Sequence, residues 1–183
     1  LKYLKRKNVM LIEDVCESHG ATFNNKKLGT FGKISNFSFY YAHHMSTIEG
    51  GMICTNNKKI YEICRILRSH GMAREMSDKI EEKRIIKKNK LLSPKFIFLY
   101  PGFNMRNNEI SAVIGLNQLR RLNKNNIKRS KNLSFFLKNL NSDVYFTDFD
   151  LKGNSNYAFP LILKKKSFIL RDRLEYLMKA KKI

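Results

Sequence analysis

The sequence predicts an α/β fold, and three observations carry that expectation. The apolar run Val9-Met10-Leu11-Ile12 ends in two acids, Glu13-Asp14, as a buried parallel strand does when polar groups gather at its carboxyl end. Ser38-Phe39-Tyr40-Tyr41 leads into a polar turn bearing His43-His44 and then a Gly50-Gly51 hinge, and such strand-end turns are where α/β proteins place reactive groups. Apolar residues at helical spacing alternate with these runs, first at Ile60, Ile63, Cys64 and Leu67.

Along the chain, the first strand is expected at Val9 to Ile12. Asn24 to Gly32 is turn-rich. Strands at Asn36 to Tyr40 and Gly51 to Thr55 flank the histidine turn. The helix through Ile60 to Leu67 is followed by Gly71, a plausible C-terminal cap. Residues 72 to 100 are polar, with a charged stretch from Lys79 to Lys90, and read as an irregular surface excursion. A helix is expected from Asn108 to Leu122, with Ile110, Val113, Ile114 and Leu119 facing inward. A second, basic helix is expected from Asn126 to Leu140. Asn141 to Asn156 reads as a polar connection, Tyr157 to Leu163 as a strand and Phe168 to Ala180 as a helix. The last two elements would begin a smaller α+β unit.

The chain has 183 residues, of which 43% are hydrophobic. It is long enough for a sizeable core and is not a disordered composition. No apolar run approaches the roughly 20 residues that span a bilayer, so no membrane association is expected. The basic start, Leu1 to Lys7, is not followed by a signal-peptide core. Three scattered cysteines, Cys16, Cys54 and Cys64, form no CxxC pair and point to a reducing cytoplasm. The net charge of +21 is spread along the chain as separate lysine pairs, without a nucleic-acid-binding motif. It reads as solvated surface, so a nucleic-acid partner is not expected, although an acidic substrate would gain from the field.

Asp14, at a strand end, is either a cap for the following turn or a carboxylate paired with a protonated ring nitrogen. The Ser38 hydroxyl can satisfy local backbone or hold an anion. His43 and His44 lack a Cys or carboxylate cluster at ligand spacing, which argues against zinc. Imidazole moves protons near neutral pH.

Three segments taken together resemble the DegT-type family of pyridoxal-phosphate-dependent sugar aminotransferases: Ile12-Glu13-Asp14-Val15-Cys16-Glu17-Ser18-His19-Gly20, Ser38 to Gly51, and Pro101-Gly102-Phe103-Asn104-Met105-Arg106-Asn107-Asn108-Glu109-Ile110. The resemblance implies the central part of a fold type I, aspartate aminotransferase-like large domain over residues 1–122. A connecting helix and the start of the small domain would follow over 123–183. It implies pyridoxal or pyridoxamine 5'-phosphate as cofactor. Asp14 would sit at the ring nitrogen, Glu17 where the family has a glutamine near the ring oxygen, and Ser38 at the phosphate. Asn104 would reach the phosphate of a neighbouring subunit, so a homodimer is implied. Arg106 and Glu109 would have structural roles.

His43, five residues after Ser38, falls where the family carries its Schiff-base lysine. Imidazole cannot make that covalent link. A branch of the family with the same exchange and the same His-His pair comprises nucleotide-sugar 3-dehydrases acting on 4-keto-6-deoxyhexoses. This chain departs from that signature at Tyr41, where proline is usual, and at Ser46-Thr47-Ile48. The resemblance implies His43 as general base and acid for loss of the C3 hydroxyl, with His44 as an orienting partner. Glutamate would be the amino donor, and surface-polysaccharide synthesis the setting. An iron–sulfur subgroup is excluded, because a cluster needs about four thiolates and only Cys54 and Cys64 lie downstream of the histidine turn. Transamination is the alternative, but Lys33 and Lys58 are poorly placed to replace the missing lysine. A catalytically inactive homologue and a polyanion-binding surface are further alternatives. Family members are considerably longer, so the resemblance also implies a piece of a larger gene product.

Overall fold

The computed structural model describes residues 1–165 and 168–182. After a short helix α1 (Lys2–Arg6), strand β1 (Ile12–Asp14) pairs in parallel with β4 (Ile34–Ser38), and β4 pairs antiparallel with β5 (Gly51–Cys54). The sheet order is β1-β4-β5. A small hairpin, β2 (Thr22–Phe23) and β3 (Lys26–Lys27), is inserted between β1 and β4. Its turn is Asn24-Asn25, both at positive φ (49° and 62°). Asparagine tolerates that conformation, and it matches the twist of a two-residue hairpin.

The first strand therefore sits two to three residues later than the apolar run suggested. Val9 and Met10 are exposed, and both acids belong to the strand itself. β4 likewise ends at Ser38 rather than Tyr40.

α2 (Lys58–Leu67) is where periodicity placed it, capped by Asn57 Oδ1 accepting from Ile60 N at 3.1 Å. It ends at Leu67 with Arg68 as its C-cap rather than at Gly71, although Gly71, at φ +76°, still donates its N–H back to Ile66 O at 2.9 Å. No side chain fits there, because a Cβ would lie 1.8 Å from Tyr100 O.

Residues 72–100 are a surface excursion only in their middle, where 79–96 holds no buried residue, while both ends are built into the core. Met72, Ala73, Met76 and Ile97 are buried with Ile66. Ala73 N–H donates to Ile97 O at 2.9 Å, and Leu99 N–H to Gly71 O at 2.8 Å. The Glu62 carboxylate, also buried, accepts from the Ser77 N–H and hydroxyl. Within this stretch lies a helix, α3 (Lys79–Lys88), whose end signals are all in the sequence. Asp78 caps it by accepting from Glu81 N, acids fill its first turn, and Lys87 and Lys88 fill its last. Its exposed face carries the charge that suggested irregular polar chain.

The two helices expected at 108–122 and 126–140 are one, α4 (Glu109–Asn139), capped by Asn108. The polar Asn123-Lys124-Asn125-Asn126 is a weak helix former but contains no breaker. Asn126 is held within the helix while its side chain donates to His19 O at 2.8 Å. Ile110, Val113 and Leu119 are exposed rather than inward, and only Ile114 is half-buried. Leu133, further along, is buried. Tyr157 to Leu163 is not a strand, since it makes only a single bridge, Leu163 to Tyr145. α5 (Phe168–Ala180) is present as expected.

Candidate active site

Parallel pairing of β1 and β4 sets Asp14 opposite Asn36. Asp14 Oδ1 accepts from Cys16 N and from Asn36 Nδ2, each at 3.1 Å. The Cys16 thiol and N–H, with the Asn36 amide, hold its carboxyl below the usual range, so it is an anion at neutral pH. The adjacent side chain points to the other face, as successive strand residues do. Glu13 accepts from Gly29 N and Phe31 N at 2.7 Å and Gly32 N at 2.6 Å. Burial alone would raise its carboxyl, but these three donors outweigh that and lower it. Glu13 thus ties down the loop before β4, while Asp14 stands on the other side.

The histidine turn closes between β4 and β5. Phe39 N–H donates to Gly50 O and Thr47 N–H to Phe39 O, both at 2.8 Å. Ile48 is held at φ +74°, rare for a β-branched residue and a kind of strain that gathers at functional turns. At the end of β4 the Ser38 hydroxyl accepts from Tyr40 N at 3.2 Å. The His43 side chain is only 12% exposed. Its ring packs edge-on against Tyr40 at 5.5 Å and Tyr157 at 5.4 Å. Its Nδ1 is closed off from solvent without a partner, while Nε2 lies 3.9 Å from Glu17 Oε1. His43 also bears electrostatically on Asp14.

His44 does not orient His43 by a hydrogen bond. Its buried Nε2 lies 3.1 Å from Ser155 O, and burial lowers its basicity against the opposing pull of that carbonyl. Behind it His19 is 4% exposed, 5.8 Å from His44 and edge-on to Phe37.

The structure therefore brings together Asp14, Glu17 and His43, with Ser38 five residues before the histidine. Asn104 stands apart. It is exposed and bridged to Ser69. Arg106 with Asn107 and Asn108 instead faces Thr47 to Gly51 across a cavity of about 470 Å³. Lys58 is engaged elsewhere, 2.8 Å from Asp78. Among the described residues no group of His, Cys, Asp or Glu is arranged to hold a metal ion, and no helix is long and apolar enough to cross a membrane. Three participants had no sequence signal strong enough to single them out: Asn36, His19 and Tyr157. The first follows only from strand register, and the third lies more than a hundred residues from the turn it touches.

A sheet whose strand ends carry an acid on β1 and a serine on β4, with a histidine turn between β4 and β5, fits the large domain of an aminotransferase-type fold. The chain belongs to the DegT/DnrJ/EryC1/StrS aminotransferase family, which matches residues 1–183. It is 38% identical over 174 residues to the GDP-4-keto-6-deoxy-D-mannose 3-dehydratase of Escherichia coli, covering 94% of this chain and 45% of that protein. It is 36% identical to the Yersinia pseudotuberculosis enzyme of the same name, covering 94% of this chain and 44% of that one. A solved GDP-4-keto-6-deoxymannose-3-dehydratase with a trapped PLP-glutamate geminal diamine superposes with a TM-score of 0.79 at 32% identity. That match covers 100% of this chain and 47% of the other. The chain thus spans about half the length of the relatives it matches.

Proposed function

We propose that this chain supplies the proton-transfer half of a pyridoxal-phosphate-dependent site that removes the C3 hydroxyl of a nucleotide-linked 4-keto-6-deoxy sugar. The observation that carries this is His43. By the resemblance it takes the lysine position of the family, and its side chain is little exposed with Nε2 3.9 Å from Glu17 Oε1. The residues fit the cofactor. The Asp14 anion suits a protonated pyridine nitrogen, the Ser38 hydroxyl and backbone at the end of β4 suit a phosphate, and Glu17 would hold the ring oxygen, as the resemblance implies. Asn104, exposed at the surface, fits the phosphate of a second subunit, which makes a homodimer part of the reading. Pyridoxamine phosphate, when bound, supplies an amine for the C4 ketone and a ring that accepts electrons.

His43 Nε2, on the Glu17 side, takes a proton and returns one to the departing hydroxyl. Tyr40 and Tyr157 wall the imidazole, whose Nδ1 is the nitrogen closed off from solvent. Because histidine forms no imine, the cofactor is not captured between turnovers. Glutamate, trapped in the solved relative, is the amino donor in this reading. Lipopolysaccharide synthesis is the setting, as in the name of a Salmonella typhimurium relative that is 30% identical. The three free cysteines, all half-buried, suit a reducing cytoplasm.

The test uses the longest natural chain carrying this sequence. After incubation with pyridoxal phosphate and borohydride, no lysine should carry the cofactor, whereas His43→Lys should be labelled at position 43. Glutamate should convert the bound cofactor to pyridoxamine phosphate in the unsubstituted protein. A labelled lysine there would overturn the dehydration and favour transamination, the activity of Campylobacter jejuni relatives that are 30% identical or less.

A further inference from the structure

We propose that His44 is a positioning residue. It locks the crossing segment 153–157 onto the histidine turn and so seats the Tyr157 ring against His43. The inference deepens the reading above and rests on it only for the role of His43.

Five successive carbonyls of this segment accept hydrogen bonds from outside it. Gly153 O accepts from Thr22 N at 2.8 Å. Asn154 O accepts from the Ser130 hydroxyl at 3.3 Å. Ser155 O accepts from His44 Nε2 at 3.1 Å. Asn156 O and Tyr157 O both accept from Arg129, at 3.4 and 2.9 Å. The donors come from β2, from α4 and from the histidine turn, so the segment is clamped on two sides. Among the described residues, the His44 donor is the hydrogen bond that ties it to the turn that carries His43.

That contact is the buried one. His44 is 5% exposed and Ser155 is 4%. A carbonyl can only accept, so the proton of the neutral ring sits on Nε2 and Nδ1 is bare, consistent with Nδ1 being buried without a partner. One residue beyond Ser155, Asn156 adopts φ +43° and turns the chain. The Tyr157 ring then lies 5.4 Å from His43, edge-on at 77°, and 5.9 Å from His44. Removing the His44 donor would leave Ser155 O buried and unpaired, a state a carbonyl avoids by moving to water. The segment would lift there, and Tyr157 would leave the face of His43.

Two variants separate the donor from the bulk. His44→Gln keeps an N–H at a similar reach, and His44→Leu keeps volume without it. Diethyl pyrocarbonate labelling of His43, read residue by residue by tandem mass spectrometry, should accelerate about five-fold in His44→Leu, as expected for loss of one hydrogen bond. It should return near the original rate in His44→Gln. Amide exchange across 153–157 should rise in His44→Leu while residues 66–76 keep their protection. Tyr157→Ala, which leaves the His44 bond in place, should also accelerate His43 labelling. Unchanged labelling in His44→Leu, failure of glutamine to restore it, or unchanged labelling in Tyr157→Ala would each overturn the proposal. None of these readouts needs cofactor or turnover, so the proposal can fail while His43 remains the base, and the reverse.

Discussion

Acid should destabilise this protein through His19, and replacing that residue should relieve it. His19 packs among Phe37, Phe39 and His44, and both its ring nitrogens are buried without partners. Desolvation first, then the neighbouring His44 and His43, push its pKa from 6.5 to about 4. The sign follows from which state binds the proton first. Above pH 6.5 the ring is neutral whether the chain is folded or unfolded, and His19 makes no pH-dependent difference. As pH falls from 6.5 towards 4 the unfolded chain takes up the proton and the folded one does not, so stability is lost across that window. The total is about 3 kcal/mol, with a slope of at most about 1.4 kcal/mol per pH unit. Urea denaturation followed by circular dichroism, stepped from neutral pH downwards, reads this in the unsubstituted protein and in His19→Leu. The leucine variant should have the flatter dependence, and the gap between the two should change steadily through the window. His43, His44 and the carboxylates are common to both proteins and largely cancel. Parallel curves would refute the reasoning, because they would mean that the folded protein protonates His19 as easily as the unfolded chain does.

Two other substitutions test the fold and the site. Gly71→Ala should cost about 2 kcal/mol or more, since the residue sits at φ +76° and a Cβ would meet Tyr100 O. The urea midpoint should fall, and amide protection of Ala73 and Leu99, whose N–H groups bond across this junction, should fall with it. Asn36→Ala removes an amide that orients Asp14. It should weaken binding of pyridoxamine phosphate about five-fold, in line with one lost hydrogen bond, as read by equilibrium dialysis, with little change in the urea midpoint.

Short-range signals were legible wherever one element could state its own identity. The apolar spacing of α2, the residues flanking the histidine turn and the final helix α5 all appear where the sequence indicated. Helix α3 was equally legible in its ends, with Asp78, Glu81, Glu82, Lys87 and Lys88 all in place. It buries no residue and is charged around most of its surface, so it shows little apolar periodicity. The asparagines at 123–126 weaken α4 without ending it, so the sequence suggests two helices where the chain forms one. A strand at 157–163 was inferred from apolar character alone, which does not distinguish a strand from an extended segment held by side chains.

The sequence by itself determined the family and the order of its signatures, and the proposal that His43 takes the place of the family's lysine rests on it. Those are properties of residue type at fixed spacing, and chain connectivity preserves them whatever the packing. Only the tertiary structure decided which groups face one another. Strand register put Asn36 on Asp14. Burial, rather than residue type, separated His19 and His44 from His43. The crossing segment brought Tyr157 onto a turn more than a hundred residues away. Contacts of that kind depend on carbonyls and amides common to every residue, so no side-chain pattern announces them, and they exist only once the chain has closed on itself.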